Sequence, residues 1–341
     1  MAVFKNTLYI TTPESYVSLD HLALVVRSGN EKRRIPLHHL ASVVIIGPSN
    51  MSQYAMAACA ARGISIAYLT ERGRFLARIE GRVSGNVLLR RAHYRRADDK
   101  QFRAEVSRSI VAAKVVNQRA FLRRLARDRG AEPEALLGAA AARLTECLRR
   151  LRKTGDVDSI RGIEGESAGW YFSALRCGIS DPKLGESFRY RLRRPPPDPV
   201  NALLSFLYTV LCNDLRSAIE AVGLDPQVGF LHVDRPGRPS LALDMMEEFR
   251  APIIDRLALT VLNRNQLRAT DFRALPTGAC ELEDDARKRL LTEYQNRKAE
   301  TMTHPLTHES APLGTMFIVQ ARIMARVIRG ELPQYPPLTF T

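Results

Sequence analysis

No glycine-rich phosphate loop of the Walker or dinucleotide kind occurs in the sequence, which argues against an ATP-driven motor or a nicotinamide-dependent enzyme. Cysteine is sparse and dispersed. Cys59, Cys147, Cys177, Cys212 and Cys280 form no Cys-x-x-Cys pair, so neither a disulfide framework nor a zinc ribbon is expected and a reducing compartment fits. Long apolar runs are missing too: none approaches the roughly eighteen residues of a membrane span, and Met1-Ala-Val-Phe-Lys5 is not a leader, so a cytoplasmic protein without a membrane partner is expected. Acidic charge is in deficit. Asp and Glu number 36 against 51 Lys and Arg, and the formal charge of +15 predicts a polyanionic partner, with nucleic acid foremost.

The 341 residues, 45% of them apolar, suffice for two ordinary domains. Short branched or aromatic runs (7–10, 16–19, 22–27, 34–37, 42–46, 64–68 and 75–79) predict strands, and alanine-rich 51–61 predicts one helix among them, preceded by a Ser-Asn cap. From about residue 97 the period turns helical, first through Phe102, Val106, Ile110 and Leu125. It does so again after the Asp198-Pro199 cap, through Leu203, Leu207 and Leu211 to Gly223. The expected fold is α+β, with a small β-rich domain over 1–84, a linker over 85–97 and a larger all-α catalytic domain over 98–341. Segments 86–99, with Arg90, Arg91, Arg95 and Arg96, and 188–197, with Arg189, Arg191, Arg193 and Arg194, are expected as hinges or surface loops whose arginines either touch phosphate or are solvated.

Three positions stand out: Glu164 in Arg161-Gly-Ile-Glu-Gly165, His232 in an irregular stretch over 225–239, and Glu247 on a helix expected to be capped by Ser240. Asp244 and Glu247, three apart, share one face of that helix, while Glu248 points elsewhere and is expected to be solvated or paired with an arginine. The small neighbours of Glu164 suit close helix packing with the carboxylate inward, where a metal or an arginine must balance it. Carboxylates with a single imidazole form an oxygen-rich set that favours Mg²⁺ or Mn²⁺ over Zn²⁺ and suits phosphodiester chemistry. Arg235, Arg238 and Arg250 are candidate phosphate clamps, and Arg161 a further DNA contact. His38, His39, His304 and His308 are expected to be ordinary side chains.

Four ordered motifs, Arg161-Gly-Ile-Glu-Gly165, Asp198-Pro-Val-Asn-Ala-Leu-Leu-Ser-Phe-Leu-Tyr208, Gly229-Phe-Leu-His232 and Leu243-Asp-Met-Met-Glu-Glu-Phe-Arg-Ala-Pro252, resemble the CRISPR-associated spacer-acquisition integrase and endonuclease, the "Cas one" family. Asn6-Thr-Leu-Tyr-Ile-Thr-Thr-Pro13 and Gly73-Arg-Phe-Leu-Ala-Arg78 resemble its type I-C variant. The resemblance implies a metal on Glu164, His232 and Glu247, with Asp244 as an auxiliary acid. It also implies a homodimer joined to the small "Cas two" protein, acting on double-stranded DNA: a short incoming duplex and the repeat array. Tyr208 stands where the family has an aromatic near DNA, although its helical register equally suits a core tyrosine. Asp234-Arg-Pro-Gly-Arg238 makes the His232 loop more charged than the family's minimal version. A general nuclease on branched DNA and a non-catalytic DNA-binding scaffold are the alternatives.

Overall fold

The computed structural model describes residues 6–71, 73, 75–79, 81, 86–127, 131–192 and 195–340, with side chains omitted at 131–133. Expectations that rest on the opening pentapeptide, on Arg74 or on Arg193 and Arg194 therefore lie outside the described residues.

Eight strands form two four-stranded sheets. One has the order β1 (Asn6–Ile10), β5 (Leu40–Ile46), β7 (Ser65–Leu69), β8 (Phe75–Ile79), parallel except for β8. The other has the order β4 (Glu31–Pro36), β3 (Ala23–Ser28), β2 (Tyr16–Asp20), β6 (Asn50–Met51). Helix α1 (Gln53–Ala61) is capped by Ser52, whose hydroxyl accepts from the Ala55 amide at 3.2 Å, so the expected helix start at Met51 and its Ser-Asn cap shift inward by a short strand.

The unbroken apolar run of β5 has a direct cause. Val43 and Ile45 face a β-rich core with Val17, Leu24 and Ile66, whereas Val44 and Ile46 on the alternate face join the helical core with Ala67 and Leu69. Both faces are buried, each such side chain being worth roughly 1.5–3 kcal/mol. The two halves are thus fused across a sheet face. Asp214 adds a polar joint, receiving Lys298 Nζ at 2.7 Å, Tyr294 Oη at 2.9 Å and Thr7 Oγ1 at 3.2 Å.

The expected linker is helical in its described part, as α2 (Val87–Asp98) packed on α3 (Lys100–Arg127). Asp99 separates the two, accepting from the amides of Gln101 at 3.0 Å and Phe102 at 3.1 Å. The arginines in this segment had suggested a surface loop, but Leu89 and His93 bury one face. There follow α4 (Ala131–Leu151), α5 (Val157–Leu175), α6 (Pro182–Ser187), α7 (Pro199–Val222), α8 (Ser240–Phe249), α9 (Arg256–Asn263), α10 (Asp284–Ala299) and α11 (Leu313–Ile328). As expected, Asp198 caps α7 and Gly223, at φ +91°, ends it. The large part is helical, with two short ribbons not foreseen from the sequence: β9 (Phe272–Ala274) with β10 (Cys280–Leu282), and β11 (Thr301–Thr303) with β12 (Ser310–Pro312). Between α8 and α9 the chain widens into a π-helical turn, Arg250–Asp255, around Pro252, which has no N–H to donate.

Candidate active site

Three helices and one loop build the site. Lys114 of α3, only 2% exposed, extends its ammonium between two carboxylates: it bonds Glu164 Oε1 of α5 and lies 2.9 Å from Glu247 Oε2 of α8. Arg250 Nη1 holds the other Glu247 oxygen at 3.0 Å. Burial pushes the Glu247 carboxyl up, but Arg250, Lys114 and His232 outweigh it and hold it well below the usual range. Glu247 is therefore a carboxylate at neutral pH.

His232 is presented by a loop that Asp244 ties down. Asp244 Oδ2 accepts from the amides of Phe230 at 2.6 Å and Leu231 at 3.0 Å, and Oδ1 from the His232 amide at 2.9 Å. Oδ1 also lies 2.6 Å from His232 Nδ1, and a carboxylate only accepts, so Nδ1 donates to Asp244 and Nε2 is the nitrogen left to other partners. Among the described residues nothing hydrogen-bonds to Nε2. Gly229 is needed for this arrangement, because a Cβ there would stand 2.8 Å from Asp244 Oδ2. Further anchors are Arg161 Nε on Leu231 O at 2.7 Å and His93 on Val228 O at 3.0 Å, burial having pushed the His93 imidazole down to about 4.

The structure thus gathers Glu164 and Glu247 on one cation and leaves His232 close enough for its charge to act on Glu247. Among the described residues no three His, Cys, Asp or Glu side chains form a ready-made metal cage, since Lys114 stands between the two glutamates. Lys114 was not anticipated. In the sequence it is one lysine on an amphipathic helix, and only the fold shows that its neighbours are buried.

Other expectations are revised. Ser240 is the first residue of α8 rather than its cap, and its hydroxyl donates to Val233 O at 3.1 Å. Glu248 is neither solvated nor paired with arginine. It is buried, accepting from Tyr335 Oη at 2.7 Å, the Leu338 amide at 2.5 Å and Gln320 Nε2 at 3.0 Å, and so fastens the C-terminal segment. Gly162, Gly165 and Gly169 do not seat a neighbouring helix: they have open space around them and leave bare backbone beside Glu164. Arg161 is engaged by Leu231 O and by Asp158. Arg235 is exposed, Arg238 is half-buried, and Arg250 is buried over the Tyr208 ring. Tyr208 is a core tyrosine whose hydroxyl donates to Asp255 Oδ1 at 2.5 Å, while Arg191, from the proline-rich loop, lies over its ring and bonds Asn201. His304 is buried and tied to Gln320 and to local amides, as an ordinary histidine should be.

Asp255, beneath Tyr208 and Tyr171, is pushed up to about 6 by burial against the lowering effect of the two hydroxyls. Because that folded value lies above the ordinary 3.8, its contribution to stability is fully present below about pH 4 and is lost as pH rises through about 6. Asp255→Asn is expected to flatten the urea-denaturation profile between those limits by on the order of 3 kcal/mol. Profiles that stay parallel to wild type would contradict this.

The fold and site define a class: a helical body joined to a β-rich sheet pair, with acidic side chains and one histidine drawn together in a strongly basic chain. Residues 8–296 match the family model for CRISPR associated protein Cas1. The chain is 50% identical to CRISPR-associated endonuclease Cas1 2 of Rhodospirillum rubrum, covering 99% of each, and 46% identical to CRISPR-associated endonuclease Cas1 1 of Chlorobaculum tepidum, covering 98% of each. It belongs to the Cas1 family. A CAS1 protein from Thermotoga maritima shares the fold at a TM-score of 0.82 with 21% identity, over 95% of this chain and 97% of that one. A casposase bound to integration product does so at 0.84 with 20% identity, over 98% and 94%. Among the described residues no helix is long and apolar enough to cross a membrane.

Proposed function

We propose that this protein is a DNA integrase and endonuclease of CRISPR adaptation that uses Mg²⁺ or Mn²⁺ held by Glu164, His232 and Glu247. The observation that carries the proposal is the pair of glutamates converging on one buried cation, beside a histidine whose Nδ1 is held by Asp244 so that Nε2 is the nitrogen left to bind an ion. Lys114 marks a place where positive charge is demanded, and the hard oxygen donors with one imidazole suit either ion. When bound, the ion neutralises phosphate oxygens and eases deprotonation of an attacking hydroxyl.

The chain's own residues do the rest. Asp244 fixes the tautomer and aim of His232, and Arg250 keeps Glu247 ionised and oriented. Lys114, displaced from between the carboxylates, remains near the phosphate as a second source of positive charge. The bare glycine face of α5 admits a DNA backbone to van der Waals contact. In the reaction a 3′-hydroxyl oxygen forms a bond to phosphorus and the target's own 3′-oxygen leaves with the proton. Phosphodiester bonds are conserved in number, so no ATP is consumed. We further propose a homodimer through the β-rich part, assembly with the Cas2 protein, and the type I-C affiliation suggested by the resemblance of 6–13.

The Lys114 bridge also favours a second reading, a scaffold whose glutamates are ion-pair partners only. The two are separated with labelled short duplexes and repeat DNA. Joined strands that appear with Mn²⁺ and vanish with chelator support the integrase, whereas cut strands alone indicate a nuclease, and no ion-dependent product at all supports the scaffold.

A further inference from the structure

A cavity of about 750 Å³ lies between α3, α4 and the segment that follows α11. It is separate from the active site. Its α3 wall includes Ser109, Ala112, Val116 and Arg119, whereas Lys114, two residues beyond Ala112, is turned by roughly 200° to the opposite face. Four guanidinium groups, Arg108, Arg119, Arg149 and Arg152, line it with a single carboxylate, Glu105.

These charges are under-compensated. Arg108 Nε donates to Thr154 O at 3.0 Å and Arg119 Nη1 to Thr145 Oγ1 at 3.3 Å, both neutral partners. Glu105 accepts from Gln101, and Arg149 pairs with Glu146 in the open. Among the described residues no carboxylate touches Arg108, Arg119 or Arg152. Arg108 and Arg119 are eleven residues apart on one helix, so their Cα atoms are separated by about 16 Å, far more than one phosphate spans. Ala112, Val116 and Leu148 line the cavity as well and supply it with apolar surface. The volume falls within the roughly 300–1,000 Å³ usual for small-molecule sites.

We infer that this cavity is a second anion site that takes a nucleotide unit, with phosphate on the arginines and the base against Ala112, Val116 and Leu148. The unit comes either from a free nucleotide or from the end of a single strand. Gln334 and Tyr335 form part of the wall, and Tyr335 is bonded to Glu248, so a ligand here bears on the segment fastened to the helix that carries Glu247.

The test titrates the full-length protein with fluorescent ADP and, separately, with a fluorescent tetrathymidylate, followed by anisotropy and by hydrogen exchange. Saturable binding of ADP assigns a free nucleotide, and binding of the oligonucleotide alone assigns a strand end. In either case the Gln334 and Tyr335 amides should gain protection. Affinity should fall at least about tenfold both in the Arg108→Gln/Arg119→Gln double variant and in Ala112→Leu, which occupies the apolar surface without altering charge. Hydrogen exchange on the unaltered protein keeps the test valid if either variant folds poorly. The inference is overturned if neither probe saturates, if inorganic phosphate displaces the probe as well as ADP does, if the two amides gain no protection, or if a folded variant binds like wild type.

Discussion

Glu247→Gln is expected to lower strand joining by at least about a thousandfold, because several kcal/mol of charge stabilisation is at stake and each 1.4 kcal/mol or so is a factor of ten. It should also destabilise the fold. Glu247 is 1% exposed and is held by Arg250 and Lys114, so its loss leaves buried positive charge uncompensated, at a cost of about 3 kcal/mol. Glu164→Gln provides the contrast, since its side chain is 24% exposed. Joining should fall as far, with little change in melting temperature. A joining assay and a thermal melt on the same preparations check both halves. Retained activity in either variant contradicts the assignment, and equal melting losses contradict the burial argument.

Asp244→Ala should have the next largest effect. One buried carboxylate receives the amides of Phe230, Leu231 and His232 together with the His232 ring, and each stranded donor costs about 1–3 kcal/mol, less when the loop relaxes to reach water. A destabilisation of at least about 3 kcal/mol, with joining reduced to background, is expected. Hydrogen exchange should show the amides of 230–232 opening while those of α7 stay protected. Unchanged exchange over 230–232 would mean that Asp244 does not hold the loop.

The sequence made the strands of the first part legible because their branched runs are bounded by turn residues, and α7 legible because Asp198, Pro199 and Gly223 punctuate both ends. The linker at 85–97 was misread, since four arginines mask the buried face of Leu89 and His93. The short ribbons at 272–282 and 301–312 were missed because three-residue strands carry no period. In the site, the motifs singled out Glu164, His232, Asp244 and Glu247, and the i, i+3 spacing of the last two was visible. Their division of labour was not. Asp244 turns to the loop backbone, Glu247 to Lys114 and Arg250, and Glu248 to the C-terminal segment. Those partners lie from three to over a hundred residues away, and no local pattern records which face of α8 meets them.

The most direct test is a Mn²⁺ titration of the metal-free protein followed by electron paramagnetic resonance. A single saturable site per chain is expected in the wild type, weakened at least about tenfold in each of Glu164→Gln, His232→Ala and Glu247→Gln. Failure to saturate, or binding left intact in all three variants, would show that these side chains hold no cation other than Lys114 and Arg250.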